Sequence, residues 1–175
     1  MPNDDFLAVL DFGSQYAHLI AKRIRHFGVY TEIFPPSIDT DRLEAAKGII
    51  LSGGPASVFA DDVPAFNPEI LNLSQPILGL CYGHQLMAKH FGGSVANTGQ
   101  GEFGKASLRQ LNPSPLWKGV TDNSQVWMSH QDSVTELPQG FQVIGETISG
   151  SLAALQHKER PLFSLQFHPE VTDTL

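Results

Sequence analysis

Cysteine occurs once in the 175 residues, so no internal disulfide can form, and a reducing compartment is the expected setting. Charge is sparse too. Acidic residues outnumber basic ones 18 to 11, a balance that argues against a nucleic-acid groove or an anionic membrane surface. No apolar run approaches the length that spans a bilayer, and the opening "MPNDDFLAVLDFG" lacks the basic-then-apolar layout of a secretory signal. Phosphate loops of the G-x-x-x-x-G-K-[ST] or G-x-G-x-x-G form are missing, as are H-E-x-x-H and paired cysteines, so no metal or cofactor is assigned. With no repeat, low-complexity tract or linker, residues 1–175 read as one cytoplasmic domain large enough to bury a core.

What is present alternates. "FLAVLD" (6–11) is strand-like, and "SQYAHLIAKRIRHF" (14–27) follows it with Ala17, Ile20, Ala21, Ile24 and Phe27 at helical spacing. Ser14 is the expected N-cap of that helix and Gly28 its stop. "YTEIF" (30–34), "GIILSGG" (48–54) and "PILGLC" (76–81) are further strands, and "YGHQLMAKHF" is the helix after the last of these. Strands spaced by helices predict an α/β fold in three layers, with a mostly parallel sheet and helices on both faces. Ligands in such sheets bind at the carboxyl ends of the strands. From about residue 95 the rhythm shifts to "KASLRQL", "QVWMS", "FQVIGET", "SLAALQH" and "PLFSLQF", which predicts a partly antiparallel C-terminal extension.

The lone cysteine sits in Gly79-Leu80-Cys81-Tyr82-Gly83, a G-x-nucleophile-x-G sequence between a predicted strand and a predicted helix. Such a turn lifts a nucleophile above the sheet and aims a helix N-terminus at it, which favours thiolate over thiol. The Tyr82 N–H is then placed to receive an oxyanion. A small buried hydrophobe is the competing reading of Cys81. The flanking strand and helix favour the nucleophile.

A thiolate that attacks a carbonyl needs a proton carrier and a group to orient it. Among the seven histidines, His18 and His26 fall on solvated flanks of the first helix, His90 is two turns beyond the elbow, and His157 adjoins a charged turn. His84 lacks a local acid. His130 in "MSHQD" has Asp132 nearby and is a rival. His168 in "LQFHPEV" precedes Pro169, which disfavours helix there, so an extended segment would put His168 and Glu170 on one face. The pair Gly53-Gly54 in "LSGGPASV" is either a tight turn or a source of a second oxyanion N–H. "SVFADDVPAFNPE" (57–69) is a solvated connection or a cover for the pocket.

The ordered set "LSGGP", "GLCYGHQ" and "FHPEV" resembles the class I glutamine amidotransferases, the triad glutaminases, over essentially the whole chain. The resemblance implies a flavodoxin-like core, Cys81 as nucleophile, His168 as proton carrier and Glu170 as its orienting carboxylate. It further implies oxyanion donors at Gly54 and Tyr82, and a grip on L-glutamine by Gln85 and the backbone at Gln131 and Asp132. "VLDFGSQYAHLIAKRIRHFGVY", "EFGKA", "VWMSHQDSV" and "QFHPEVTDT" are similar to the branch that passes ammonia to a synthetase (ATP-pyrophosphatase) domain, where ATP and Mg are expected and XMP becomes GMP. Two residues depart from the pattern: Gly101 stands where Arg is common, and Gln131 where Gly is common. No "SGGVDS"-like loop follows before Leu175, which suggests an excised domain ahead of a separate glutaminase chain. Such a lone domain is expected to hold its triad slightly misaligned and to turn over slowly. Rival readings are a γ-glutamyl hydrolase or peptidase with the same thiol, and a silent regulatory module.

Overall fold

The computed structural model describes residues 5–13, 15–54 and 57–175. Four parallel strands open the fold: β1 (Phe6–Leu10), β2 (Thr31–Phe34), β3 (Ala46–Leu51) and β4 (Ile77–Leu80). α1 (Tyr16–His26) links the first two, and α2 (Tyr82–His90) leaves β4. Five longer or antiparallel elements follow: β5 (Ser94–Gln110), β6 (Ser124–Glu136), β7 (Phe141–Thr147), β8 (Leu152–His157) and β9 (Leu162–Leu165). All nine form one sheet in the order β2-β1-β3-β4-β9-β8-β7-β5-β6. β9 returns to pair parallel with β4, with Leu80 opposite Leu165, while its other edge pairs antiparallel with β8. The expected parallel core and antiparallel extension are therefore joined through one shared strand.

Side-chain alternation along β1 decides the layers. Ala8 and Leu10 enter one buried cluster with Tyr82, Met87 and Ala88 of α2. Val9 points the other way, into a cluster with Ala17 and Ile20 of α1 and with Leu80 and Leu165. The two helices thus cover opposite faces, as the alternation predicts. No helix among the described residues is long and apolar enough to cross a membrane.

Several local expectations need adjusting. Gly28 does end α1, with φ +79°, a region that favours glycine. Phe27, expected on the buried face, is 81% exposed because the helix stops at His26 and the side chain swings outward. Ser14 lies outside the described residues. β3 stops at Leu51, so the glycine pair lies past the strand. β5 begins at Ser94, eleven residues before its expected start at Lys105, and its register against β6 shifts between Asn97 and Glu102. "ANTGQGEFG" carries turn residues and little alternation, so only its pairing with β6 makes it strand.

The elbow after β4 demands glycine on both sides. A Cβ at Gly79 would lie 2.5 Å from the Gly83 carbonyl oxygen, and one at Gly83 would lie 2.6 Å from that of Leu51. Both partners are backbone and have little room to yield. Gly79→Ala and Gly83→Ala are each expected to destabilise the fold by about 1–3 kcal/mol, as overpacking does. That is a fall of roughly 2–4 °C in Tm per kcal/mol for a chain of this size, measurable by thermal unfolding.

Candidate active site

The carboxyl ends of β1, β3, β4 and β9 meet at one pole of the sheet, where open parallel sheets place ligands. Cys81 caps α2 with φ +50° and ψ −99°, a conformation that non-glycine residues adopt only under strain. Its N–H donates to the Leu165 carbonyl at 2.8 Å, tying the elbow to the end of β9. The sulfur is half-buried, 3.6 Å from the Ser129 carbonyl oxygen, and accepts from the Gln166 amide at 3.7 Å.

His168 follows β9. Its Nδ1 is 2.8 Å from Oε1 of Glu170, with both side chains almost fully buried. Pro169 and Glu170 form a turn, so the carboxylate reaches the ring around a bend and not along an extended face as the sequence suggests. Burial alone would lower the pKa of His168. Hydrogen bonds to Cys81 and Glu170, with the charges of both, outweigh it and raise the value from 6.5 to about 9. A hydrogen bond joins imidazole to carboxylate, and the sulfur lies near enough to the ring to help raise its pKa.

The other histidines are accounted for. His18, His26 and His90 are exposed. His84 is fully buried with Nδ1 2.8 Å from Ser164 Oγ; burial, then the nearby His130 charge, lowers its pKa to about 3. His130 has Nδ1 2.8 Å from the Asp132 backbone carbonyl and Nε2 3.0 Å from Glu102. Its acid is thus Glu102 and not the Asp132 carboxylate, which instead accepts from Ser57 Oγ at 2.5 Å. Burial pushes the Glu102 carboxyl up, but bonds from Ser149, Ser151, Thr147 and His130 prevail and hold it low. Both ring nitrogens of His130 are thus engaged away from the sulfur.

A cavity of about 220 Å³ opens over the row, lined among others by Gly54, Cys81, Tyr82, Gln85, Gln131 and His168. Gly54 lies so close to the elbow that a Cβ there would sit 2.8 Å from Cγ of Tyr82. The Tyr82 N–H opens α2, where no helical carbonyl precedes it to accept. Gln85 donates from Nε2 to the Asp132 carbonyl at 2.7 Å and to Gln166 Oε1 at 3.2 Å. Asp132 and Glu170 stand behind the cavity wall. Ser57 and the buried Val58 put the start of the 57–69 segment against Asp132 and the core. A wider groove of about 650 Å³, by His90 and His157, lies apart from the one thiol.

Both sequence departures have a steric setting. A Cβ at Gly101 would lie 2.9 Å from the His130 carbonyl oxygen and 2.8 Å from Cε2 of Phe103, so glycine lets β5 close on β6 there. Gln131 is exposed at the cavity edge and donates to Asn97 Oδ1 at 3.4 Å. Sequence reasoning missed Tyr16, Gln166 and Glu102. Each reaches the site through the tertiary fold, with no local motif to announce it.

Residues 8–175 match the family model for class-I glutamine amidotransferases, and the chain belongs to that family. Within it, the sequence is 45% identical over 172 residues to the glutamine-hydrolysing GMP synthase of Thermobifida fusca, covering 97% of this chain and 33% of that one. Against the same enzyme of Campylobacter lari it is 49% identical over 94% of this chain and, again, 33% of the relative. The chain spans about a third of the length of the curated relatives it matches. The crystal structure of a candidate GMP synthase component from Thermoplasma acidophilum superposes with a TM-score of 0.85 at 32% identity, over 96% of this chain and 85% of that one. A glutamine amidotransferase of Thermotoga maritima shares the fold, with a TM-score of 0.77 at 20% identity over 95% and 76%.

The raised pKa of His168 stabilises the fold fully below about pH 6.5 and ceases to do so as pH rises through about 9. In an NMR titration the ring is expected to keep its second proton past pH 8. Cys81→Ala removes one hydrogen bond and one charge and should move the midpoint down. A midpoint near 6.5 in both proteins would contradict this account of the row.

Proposed function

We propose that this chain is the glutaminase part of a glutamine-hydrolysing GMP synthetase. The observation that carries the reading is the meeting of Cys81 with the hydrogen-bonded pair of His168 and Glu170 at the floor of a small cavity. The Cys81 sulfur attacks the side-chain amide carbon of L-glutamine, and the carbonyl π pair moves onto oxygen. The N–H groups of Tyr82 and Gly54 receive that oxyanion. Collapse breaks the C–N bond as the His168 proton passes to nitrogen, so ammonia leaves and a γ-glutamyl thioester remains. Neutral His168 then takes a proton from water as its oxygen adds to the thioester, and sulfur departs to give glutamate. Glu170 keeps Nδ1–H directed away from the sulfur and offsets the charge on the ring.

Gln85 and Gln131 border the substrate's amino-acid end, with Asp132 fixing Gln85 from behind through its carbonyl. A cavity of about 220 Å³ falls below the roughly 300–1,000 Å³ typical of drug-sized ligands. That size favours a single amino acid over the peptide or folate tail of the rival hydrolases. The chemistry needs no cofactor in this chain. ATP and Mg act in the synthetase part, where XMP is adenylylated and ammonia displaces AMP to give GMP. That part is the partner, and the cytoplasm is the proposed setting.

Cys81→Ala should abolish ammonia release while leaving the melting transition in place, and an electrophilic glutamine analogue should label Cys81 alone. Glu170→Gln is expected to lower kcat by roughly 10²–10⁴-fold. His168→Ala should cost more than His130→Ala; the reverse order would transfer the base role. The chain alone should release ammonia slowly, and adding the synthetase part should raise kcat. Wild-type protein that releases none from glutamine, with or without that partner, would refute the reading.

A further inference from the structure

The glutaminase reading leaves Tyr16, an aromatic in the cavity lining, without a role. Tyr16, the first residue of α1, lays its ring over that of His168, with centroids 4.1 Å apart and planes inclined by 24°. Gly53 closes the edge of this stack: a Cβ there would lie 3.1 Å from both His168 Cε1 and Tyr16 Cδ2. Two turns further along the same face of α1, Arg23 Nε donates to the backbone carbonyl of Glu170 at 3.0 Å. One helix therefore touches both partners of the sulfur, the imidazole by its face and the carboxylate residue by its main chain.

The geometry gives the stack a task that the hydrogen bonds leave undone. The bond from Nδ1 to Glu170 fixes one atom of the ring but permits it to rock about that point. Rocking carries Nε2 off the line to the sulfur. A flat ring packed parallel to the imidazole, with backbone closing its edge, blocks that motion.

We propose that Tyr16 is a positioning residue for His168, its stacked ring fixing the imidazole plane so that Nε2 stays aimed at the Cys81 sulfur. The inference rests on the glutaminase reading above. A positively charged imidazole facing a phenol ring is also favoured over a neutral one. The charged or titratable groups around the ring are Cys81 from the elbow, Glu170 from the following turn, Tyr16 from α1 and His130 across the cavity, with Arg23 on the Glu170 main chain.

The test compares Tyr16→Phe with Tyr16→Leu in glutamine hydrolysis, with the synthetase part supplied, and in an NMR titration of His168. Tyr16→Phe keeps the ring face and should stay within about threefold of wild type. Tyr16→Leu should lose roughly 10–100-fold in kcat with KM little changed, since a displacement near 1 Å can cost about 100-fold. In the same variant the His168 midpoint should fall and its ring protons should lose their aromatic ring-current shift. Gly53→Ala, which wedges the two rings apart, should reproduce the pattern and serves if Tyr16→Leu does not fold. Unchanged kcat in Tyr16→Leu, a loss confined to KM, or an equal loss in Tyr16→Phe would each overturn the proposal. The NMR arm needs no turnover, so an unmoved His168 signal would sink the positioning role even in a protein that hydrolyses glutamine. A moved signal in a protein that does not would sink the glutaminase reading alone.

Discussion

The site depends on one pairing: β4 and β9, far apart in the chain, lie side by side and parallel, with Leu80 opposite Leu165. Because both strands end at the same level, whatever follows each must meet. The elbow at Cys81 follows one, and Gln166 to Glu170 follow the other. The hydrogen bond from the Cys81 N–H to the Leu165 carbonyl continues the ladder to the residue that carries the sulfur. A one-residue slip in this register would turn the side chains of β9 to the opposite face. The apolar residues prevent it, since Leu165 packs with Leu80 and Val9 on the α1 side while Leu162 packs with Ile77 on the other. Core patterning and site geometry are enforced by the same residues.

The strain at Cys81 follows from that arrangement. A chain leaving β4 must turn within one residue to start α2 over the sheet, and a positive φ at Cys81 is how it does so. The cost of such a conformation is of order 1–3 kcal/mol, and it persists only where surroundings over-determine it. Here the close contacts of Gly79 with Gly83, and of Gly83 with Leu51, supply that determination. The result is a sulfur at the cavity floor beside the first N–H of a helix.

How much of this could be read from the chain depended on the distance over which each feature is set. Cys81 with its glycines, and His168 with Glu170, are short motifs whose residue types state their chemistry, so the row was legible once a parallel sheet was inferred. The glycine pair at 53–54 was legible as a turn, while its closeness to Tyr82 and to the His168 ring was not. Tyr16, Gln166 and Glu102 were invisible because their roles arise from partners on other elements. Asp132 shows the reverse error: it shares a face of β6 with His130, but its carboxylate is taken by Ser57 and the ring meets only its main chain. Phe27 failed for a similar reason, since helical spacing says nothing about a residue just past the last turn.

The electrostatics of the row also set the order of events in the proposed reaction. A ring whose pKa is lifted to about 9 holds its proton at neutral pH, and such a group is an acid before it is a base. That suits the first half of the reaction, in which nitrogen must be protonated to leave as ammonia. The same pKa would hinder the second half, in which the ring must take a proton from water. Two of the four influences that raise it come from Cys81, its hydrogen bond and its charge. Both vanish once sulfur is bonded to the glutamyl carbon. With only the bond and charge of Glu170 left to oppose burial, the ring's pKa falls, and the imidazole that has just given up its proton is freer to act as a base. In this scheme formation of the thioester itself favours the neutral ring that the second step needs.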